Sequence, residues 1–351
     1  MLGAEEPRLD ELPEWLATTA DEYARAVSSE KIQAHVEALP GPRNRLHAPA
    51  AMEEAETYVA GVLRATGWTV ERRPYVLHDV RGFRDFDDDA DGFMRIYERL
   101  EGANLVATRR ADDSRRGAIV VGAHLDTVRD SPGADDNGSG VAGVLELARL
   151  LEEEPVEREI VLAVFDMEEL GFVGSRVLAS ELNAELEIGG VLVFESIGFS
   201  SHDRGSQKLP PGVGTVYRGQ VRRIRARDFV GDWTLVIYRD HSRDLARAYG
   251  ESLAHLAGPD GVVLARDPVD LPGLGTILRR VVPWVQHFSR SDHQPFWELG
   301  VPAIQITDTA DFRNERYHGA DDTPETLDYD LIARVVAATA TTVRRLAGDR
   351  C

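Results

Sequence analysis

Cysteine is almost missing from this chain of 351 residues: the only one is Cys351, the last residue. That excludes an internal disulfide framework and a cysteine-held zinc site, and it argues against a cysteine nucleophile. Lysine is nearly as scarce. Lys31 and Lys208 are the only two, so arginine carries almost all the positive charge, a bias of composition that bears on solubility rather than fold. Basic charge is short overall. With 40 Lys and Arg against 60 Asp and Glu, the formal net charge is −20, which argues against nucleic acid partners and anionic membrane surfaces. No apolar run approaches the roughly 18–20 residues of a membrane span. The first residues, Met1-Leu2-Gly3-Ala4-Glu5-Glu6-Pro7, contain neither a basic segment nor an apolar one. No secretory signal is expected from them, and the expected location is cytoplasmic.

What is present is ample apolar content and an alternating pattern. A helix is expected from about Pro13 to Leu39, stopped by Pro40-Gly41-Pro42. A second is expected from Pro49 to Thr66, where Pro49 suits the first turn because its missing N–H costs nothing there. Trp68–Arg72 reads as a strand, and Asp85–Asp91 as a solvated acidic loop. From Asn104 onward strands and helices alternate. Ala118–Val121, Glu159–Phe165, Gly190–Phe194 and Val301–Thr307 read as buried strands. Val141–Leu151, Gly174–Ser180 and Leu331–Leu346 read as helices. The expected fold class is α/β, a mostly parallel or mixed central sheet with helices on both faces. Ser200–Arg227, polar and rich in Gly, Pro and Arg, reads as a surface excursion, either a lid or a plain loop.

The polar residues fall where strands end. His124 and Asp126 follow one strand, Glu168 and Glu169 the next, and Glu195 a third. Open α/β sheets bind ligands beyond the carboxyl ends of their strands, so these distant residues are expected to meet at one edge. Each alone has a plain structural role: Asp136 could cap the following helix, the Glu168-Glu169 pair could be surface charge, and His124 could be a satisfied buried histidine. Their joint placement points to a metal site instead. Gly138-Ser139-Gly140-Val141-Ala142-Gly143 matches the dinucleotide pattern G-x-G-x-x-G. However, a long loop carrying His124, Asp126, Asp130, Asp135 and Asp136 separates it from the strand, and those acids would repel a pyrophosphate. There is no G-x-S-x-G elbow, and Ser291-Asp292-His293, adjacent in sequence, is not how a serine triad is built.

Five motifs carry a resemblance: His124-x-Asp126; Gly133–Gly140; Glu168-Glu169-Leu170-Gly171-Phe172-x-Gly174-Ser175; Ser291-Asp292-His293-x-Pro295-Phe296; and Tyr317-His318 followed by Asp322-Thr323. In order and spacing the chain resembles the M28 metallopeptidases, the dizinc aminopeptidases, from about residue 33 to 346. The resemblance implies residues 1–32 as a helical extension and 33–351 as one catalytic domain. It implies two zinc ions, one held by His124, the other by His318 and Glu169, with Asp136 bridging them. It implies Asp126 accepting the His124 ring N–H, Glu168 as general base, and Tyr317 as an oxyanion donor, with packing the alternative for that tyrosine. The family's usual aspartate for the first zinc is replaced here by Glu195, in Phe194-Glu195-Ser196-Ile197-Gly198.

The chemistry is coherent on its own terms. Two zinc ions about 3.5–4 Å apart can acidify a bridging water toward a pKa of about 7, and a free carboxylate can then take its proton and pass it to the leaving amine. A strongly acidic site also favours a protonated α-amine, which suits an exopeptidase acting on a peptide or aminoacyl substrate. The alternatives are a single-zinc glutaminyl cyclase-like acyltransferase, a small-molecule amidohydrolase, and a non-catalytic binding domain on the same scaffold. Oligomeric state is not legible in the sequence.

Overall fold

The computed structural model describes residues 6–83, 94–111, 117–152, 154, 158–271, 273 and 275–348. The acidic run 85–91 lies outside them. The strands are β1 (Thr69–Phe83), β2 (Met94–Arg109), β3 (Ala118–His124), β4 (Ile160–Phe165), β5 (Ile188–Phe194), β6 (Thr234–Tyr238), β7 (Val262–Arg266) and β8 (Ala303–Thr307). The helices are α1 (Glu14–Ala26), α2 (Ser29–Ala38), α3 (Pro49–Ala65), α4 (Gly140–Leu150), α5 (Val173–Glu185), α6 (Val213–Val216), α7 (Arg218–Ala226), α8 (Arg243–Ala257), α9 (Gly275–Val281), α10 (His293–Glu298) and α11 (Tyr329–Gly348).

Strand order in the sheet is β1-β2-β4-β3-β5-β8-β6-β7. β4, β3, β5 and β8 run parallel, as do β6 and β7, whereas β1/β2, β2/β4 and β6/β8 are antiparallel. The sheet is therefore mixed, with a parallel centre. Its central strands are Val, Ile and Leu runs buried on both faces, and successive residues alternate between two apolar cores. Ile119, Val121, Leu162, Val164 and Leu192 face the core shared with α1–α4, α8 and α11. Val120, Val161, Phe165, Val191 and Val193 face the core shared with α5 and α10. Each such side chain contributes about 1.5–3 kcal/mol on burial. A one-residue slip would swap every one of them to the wrong face, so the register is firmly set. That register in turn fixes where each strand stops.

Several elements differ from expectation. The first helix is two, because Val27 is extended and Ser28 starts α2 by accepting a hydrogen bond from Lys31 N. The strand expected at Trp68–Arg72 continues to Phe83 as one arm of a long ribbon with β2. The short helix expected at Gly174–Ser180 runs to Glu185. Strands β6 and β7 and helix α8 enlarge the sheet in a stretch where no elements were expected. Tyr23 of α1 and Ile32 of α2 belong to the same core as the central strands. No helix among the described residues is long and apolar enough to cross a membrane.

Candidate metal centre

Because β4, β3, β5 and β8 are parallel neighbours, their C-terminal ends share one edge. His124 ends β3, and Glu168 and Glu169 follow β4. Glu195 follows β5, and His318 lies in the connection from β8 to α11. Asp136 sits in the turn Ala134–Ser139 that leads into α4. The backbone bends sharply to present these side chains: Met167, Ser196 and His318 all have positive φ, at 55°, 48° and 61°. Non-glycine residues hold that conformation only where the surroundings enforce it.

The central residue is Asp136. One carboxylate oxygen lies 3.1 Å from His124 Nε2, and the other lies 2.9 Å from His318 Nε2. Glu195 Oε1 is 3.5 Å and Glu168 Oε2 4.0 Å from His124 Nε2. Glu169 Oε2 is 3.6 Å from His318 Nε2. All of the expected first-rank residues thus meet around Asp136. His124 is wholly buried, and Asp136, Glu168, Glu169 and Glu195 are nearly so.

Asp126 differs in detail from expectation. Its main-chain carbonyl, rather than its carboxylate, sits at hydrogen-bond distance (3.0 Å) from His124 Nδ1, with the carboxylate at 3.6 Å. A carbonyl can only accept, so Nδ1 donates to it, which turns Nε2 toward Asp136. The Asp126 carboxylate instead accepts the backbone N–H groups of Glu168 (3.0 Å) and Glu169 (3.2 Å). Asp322 does the same for the other acidic pair, accepting from Asp135 N (2.9 Å) and Asp136 N (3.2 Å). Asp135 points away from the cluster, accepting from Gly198 N and Asn314 Nδ2, both at 2.9 Å. Ser291 Oγ donates to Glu195 Oε2 at 2.6 Å. His293 is turned elsewhere, with Nε2 3.0 Å from the Phe288 carbonyl and burial pushing its pKa down to about 3.

Sequence reasoning missed Arg43. Its guanidinium is buried and donates to the carbonyls of Leu125 (2.6 Å), Pro132 (2.9 Å) and Gly133 (2.9 Å), clamping the loop between His124 and Asp136. Backbone carbonyls have no residue signature, so nothing in the sequence marks this contact.

The electrostatics are those of a site short of positive charge. Burial, with repulsion from neighbouring carboxylates, raises Glu168 well above its ordinary value and pushes Glu169 up to about 8. Burial alone would lower His318, but Glu169 and Asp136 hold it up at about 9. Burial would likewise raise Asp136, yet its contacts with His124 and His318 draw it far below the usual range. Glu169 Oε1 is buried without a hydrogen-bond partner, and neither His124 Nε2 nor Asp136 Oδ1 finds one of good geometry. Donor atoms of His124, Asp136 and Glu169 all lie within 4.8 Å of one another. Imidazole and carboxylate donors, buried, convergent and under-compensated, fit zinc.

A cavity of about 140 Å³ adjoins this cluster. Glu195 and Tyr317 line it together with apolar side chains such as Trp233, Ile237, Trp284 and Phe288. The Tyr317 ring is stacked on His318, with centroids 3.9 Å apart. The excursion 200–227 forms another wall through Leu209, Val213 and Tyr217. It is pinned to the segment leading to His318 by Gln207 Nε2 donating to Thr309 Oγ1 (3.0 Å) and Lys208 N donating to the Phe312 carbonyl (2.8 Å).

An α/β sheet that gathers two histidines and four carboxylates at the carboxyl ends of parallel strands defines a metal-centre protein of the zinc-dependent class. Residues 104–221 and 274–343 match the model of peptidase family M28, and the chain belongs to that family. The Escherichia coli (strain K12) protein YfbL, described as uncharacterized, is 33% identical over 233 residues, 62% of this chain and 64% of its own length. A probable zinc metalloprotease of Leptosphaeria maculans is 30% identical over 254 residues, 66% of this chain and 54% of that protein. The chain thus spans less than two thirds of either relative. The fold is shared with an aminopeptidase from Aneurinibacillus sp. strain AM-1, with a TM-score of 0.64 at 14% identity, over 93% of this chain and 95% of that one.

Proposed function

We propose that the protein is a two-zinc aminopeptidase that removes N-terminal residues from peptides. The observation that supports this best is Asp136 lying between His124 and His318, one oxygen toward each. In this reading His124 and Glu195 would hold one ion and His318 and Glu169 the other, with Asp136 shared between them. The zinc pair, when bound, supplies an acidified water and a polarised scissile carbonyl. Glu168 then takes the proton and delivers it to the leaving amine. At 4.0 Å its carboxylate is farther from His124 Nε2 than those of Asp136 and Glu195, which suits a group kept out of the ligand set, and its raised pKa suits one that must hold a proton midway through the reaction. Tyr317 would donate to the developing oxyanion, a role that its stacking on His318 and its place in the cavity wall support. The aminopeptidase named YwaD of Bacillus subtilis, 34% identical over 108 residues, supports the activity class.

The test is a panel of aminoacyl and peptide substrates with free and blocked N-termini, with zinc counted in the same preparation. Two zinc per chain, activity abolished by a chelator, and cleavage of free but not blocked substrates are expected. His318→Ala should lose one metal equivalent. Equal cleavage of blocked and free substrates would sink the aminopeptidase reading, and one zinc per chain would favour a cyclase-like enzyme.

A further inference from the structure

The cavity beside the metal centre has a mostly apolar wall, with one cation that the proposed chemistry leaves unused. Arg290 lines the cavity together with Glu195 and Tyr317, and it directly precedes Ser291, whose hydroxyl holds Glu195. Among the described residues its one hydrogen bond is to Nδ1 of His287, at 2.9 Å. That ring nitrogen accepts, so it holds one arm of the guanidinium and leaves the other donors available. No carboxylate lies within ion-pair distance of Arg290 among the described residues, although Asp311 lines the same cavity. The other cavity cation, Lys208, is already tied to Glu315 at 2.6 Å.

Two facts make this arginine informative. In a chain with a net charge of −20, a cation facing a cavity without an acidic partner is out of keeping with its surroundings. The acids that feel its charge are Asp311, on the cavity wall, and Glu168 and Glu195, which belong to the metal cluster. Once bound metal compensates Glu168 and Glu195, Asp311, which makes no ion pair with Arg290, is the remaining acid nearby, and the guanidinium can act on whatever enters the cavity. A guanidinium with donors to spare matches the planar, two-oxygen geometry of a carboxylate.

We propose that Arg290 reads a carboxylate on the substrate, so that the preferred substrates are peptides carrying an anionic group next to the scissile bond. This rests on the aminopeptidase reading and narrows its substrate class. The carboxylate has two sources: the C-terminal α-carboxylate of a dipeptide, or the side chain of an acidic N-terminal residue.

Two matched pairs separate them, assayed with the zinc-loaded full chain. Leucyl-leucine is compared with leucyl-leucinamide, and glutamyl-p-nitroanilide with its side-chain methyl ester. One pair should favour its anionic member by about 10–100-fold in kcat/KM, the range of a charge-assisted hydrogen bond, with the difference carried by KM. The dipeptide pair would identify the α-carboxylate, the anilide pair the side chain. Arg290→Met should bring that ratio close to one, and Arg290→Lys should keep part of it. Because the readout is a ratio within one protein sample, partial loss of folded material does not imitate the result. The proposal is overturned if neither pair shows a preference, or if the preference survives in Arg290→Met. If no free-amine substrate is cleaved at all, the aminopeptidase reading itself fails, and this narrowing falls with it.

Discussion

In the proposed reading each acid of the cluster has a separate task, set by what its carboxylate touches. Glu168 and Glu169 are chemically identical neighbours, yet Glu169 lies near His318 and Glu168 near His124. Glu168→Gln should retain its zinc and lose about 10²–10⁴-fold in kcat, measured by metal analysis beside turnover. Near-native turnover would remove Glu168 as the base. Asp322 is a different case, since its two oxygens receive two consecutive amides. In Asp322→Asn one of those amides would face an NH₂ group. The orphaned buried donor should cost about 1–3 kcal/mol by denaturant unfolding and weaken zinc binding as well. At this scale the sequence was legible where the side chain carries its own chemistry, as at His124, Asp136, Glu169 and His318. It was silent at Arg43, whose partners are carbonyls, and at Asp126, whose carboxylate also accepts two backbone amides.

Elements were legible where burial is two-sided. β3, β4, β5 and β8 are mostly apolar and buried, and each ends within three residues of its expected stop. The β1–β2 ribbon was not legible beyond its start, because Glu71, Arg72 and Arg73 interrupt any apolar pattern in a strand whose residues are mostly exposed or half-buried. Cross-strand pairing rather than burial specifies it. How closely elements approach can also be tested. Gly174, in the first turn of α5, lies against the end of β4, and a Cβ there would come within 2.1 Å of the Asp166 carbonyl. Gly174→Ala should therefore destabilise by about 1–3 kcal/mol and shift the Glu168–Glu169 loop that the contact seats. Gly61, exposed within α3, has nothing within 4 Å of such a Cβ. Gly61→Ala should stabilise by about 0.5–1 kcal/mol. Thermal melts of the two variants should move in opposite directions, and a fall for both would contradict this packing.

For the whole molecule, the fold's stability and its metal are coupled through protons. In the metal-free protein Glu169 titrates near 8, above the ordinary carboxylate value, and His318 near 9, above the ordinary histidine value. Between their unfolded and folded values both groups hold more protons in the folded state, so stability must fall as pH rises from about 6 to 9. Zinc needs those same groups deprotonated, so its affinity should rise over the same interval. Melting temperatures with and without zinc should diverge as pH rises, the metal-free protein falling. A flat metal-free profile would show that these groups are not held as described. The parallel centre of the sheet and its carboxyl edge were legible in the sequence. The added strands β6 and β7 were not, since β7 is a bare apolar run of the kind a helix also contains.

The paired aspartates have a kinetic consequence. The amides of Asp135, Asp136, Glu168 and Glu169 lie in loops, where hydrogen exchange with solvent is ordinarily fast. Here each is buried and tied to a carboxylate far away in sequence, Asp322 or Asp126, which the folded sheet holds in place. Such a bond opens only when the segments on both sides separate. These four loop amides should therefore exchange as slowly as those of β3 and β4, at a rate set by opening of the core rather than by local fraying.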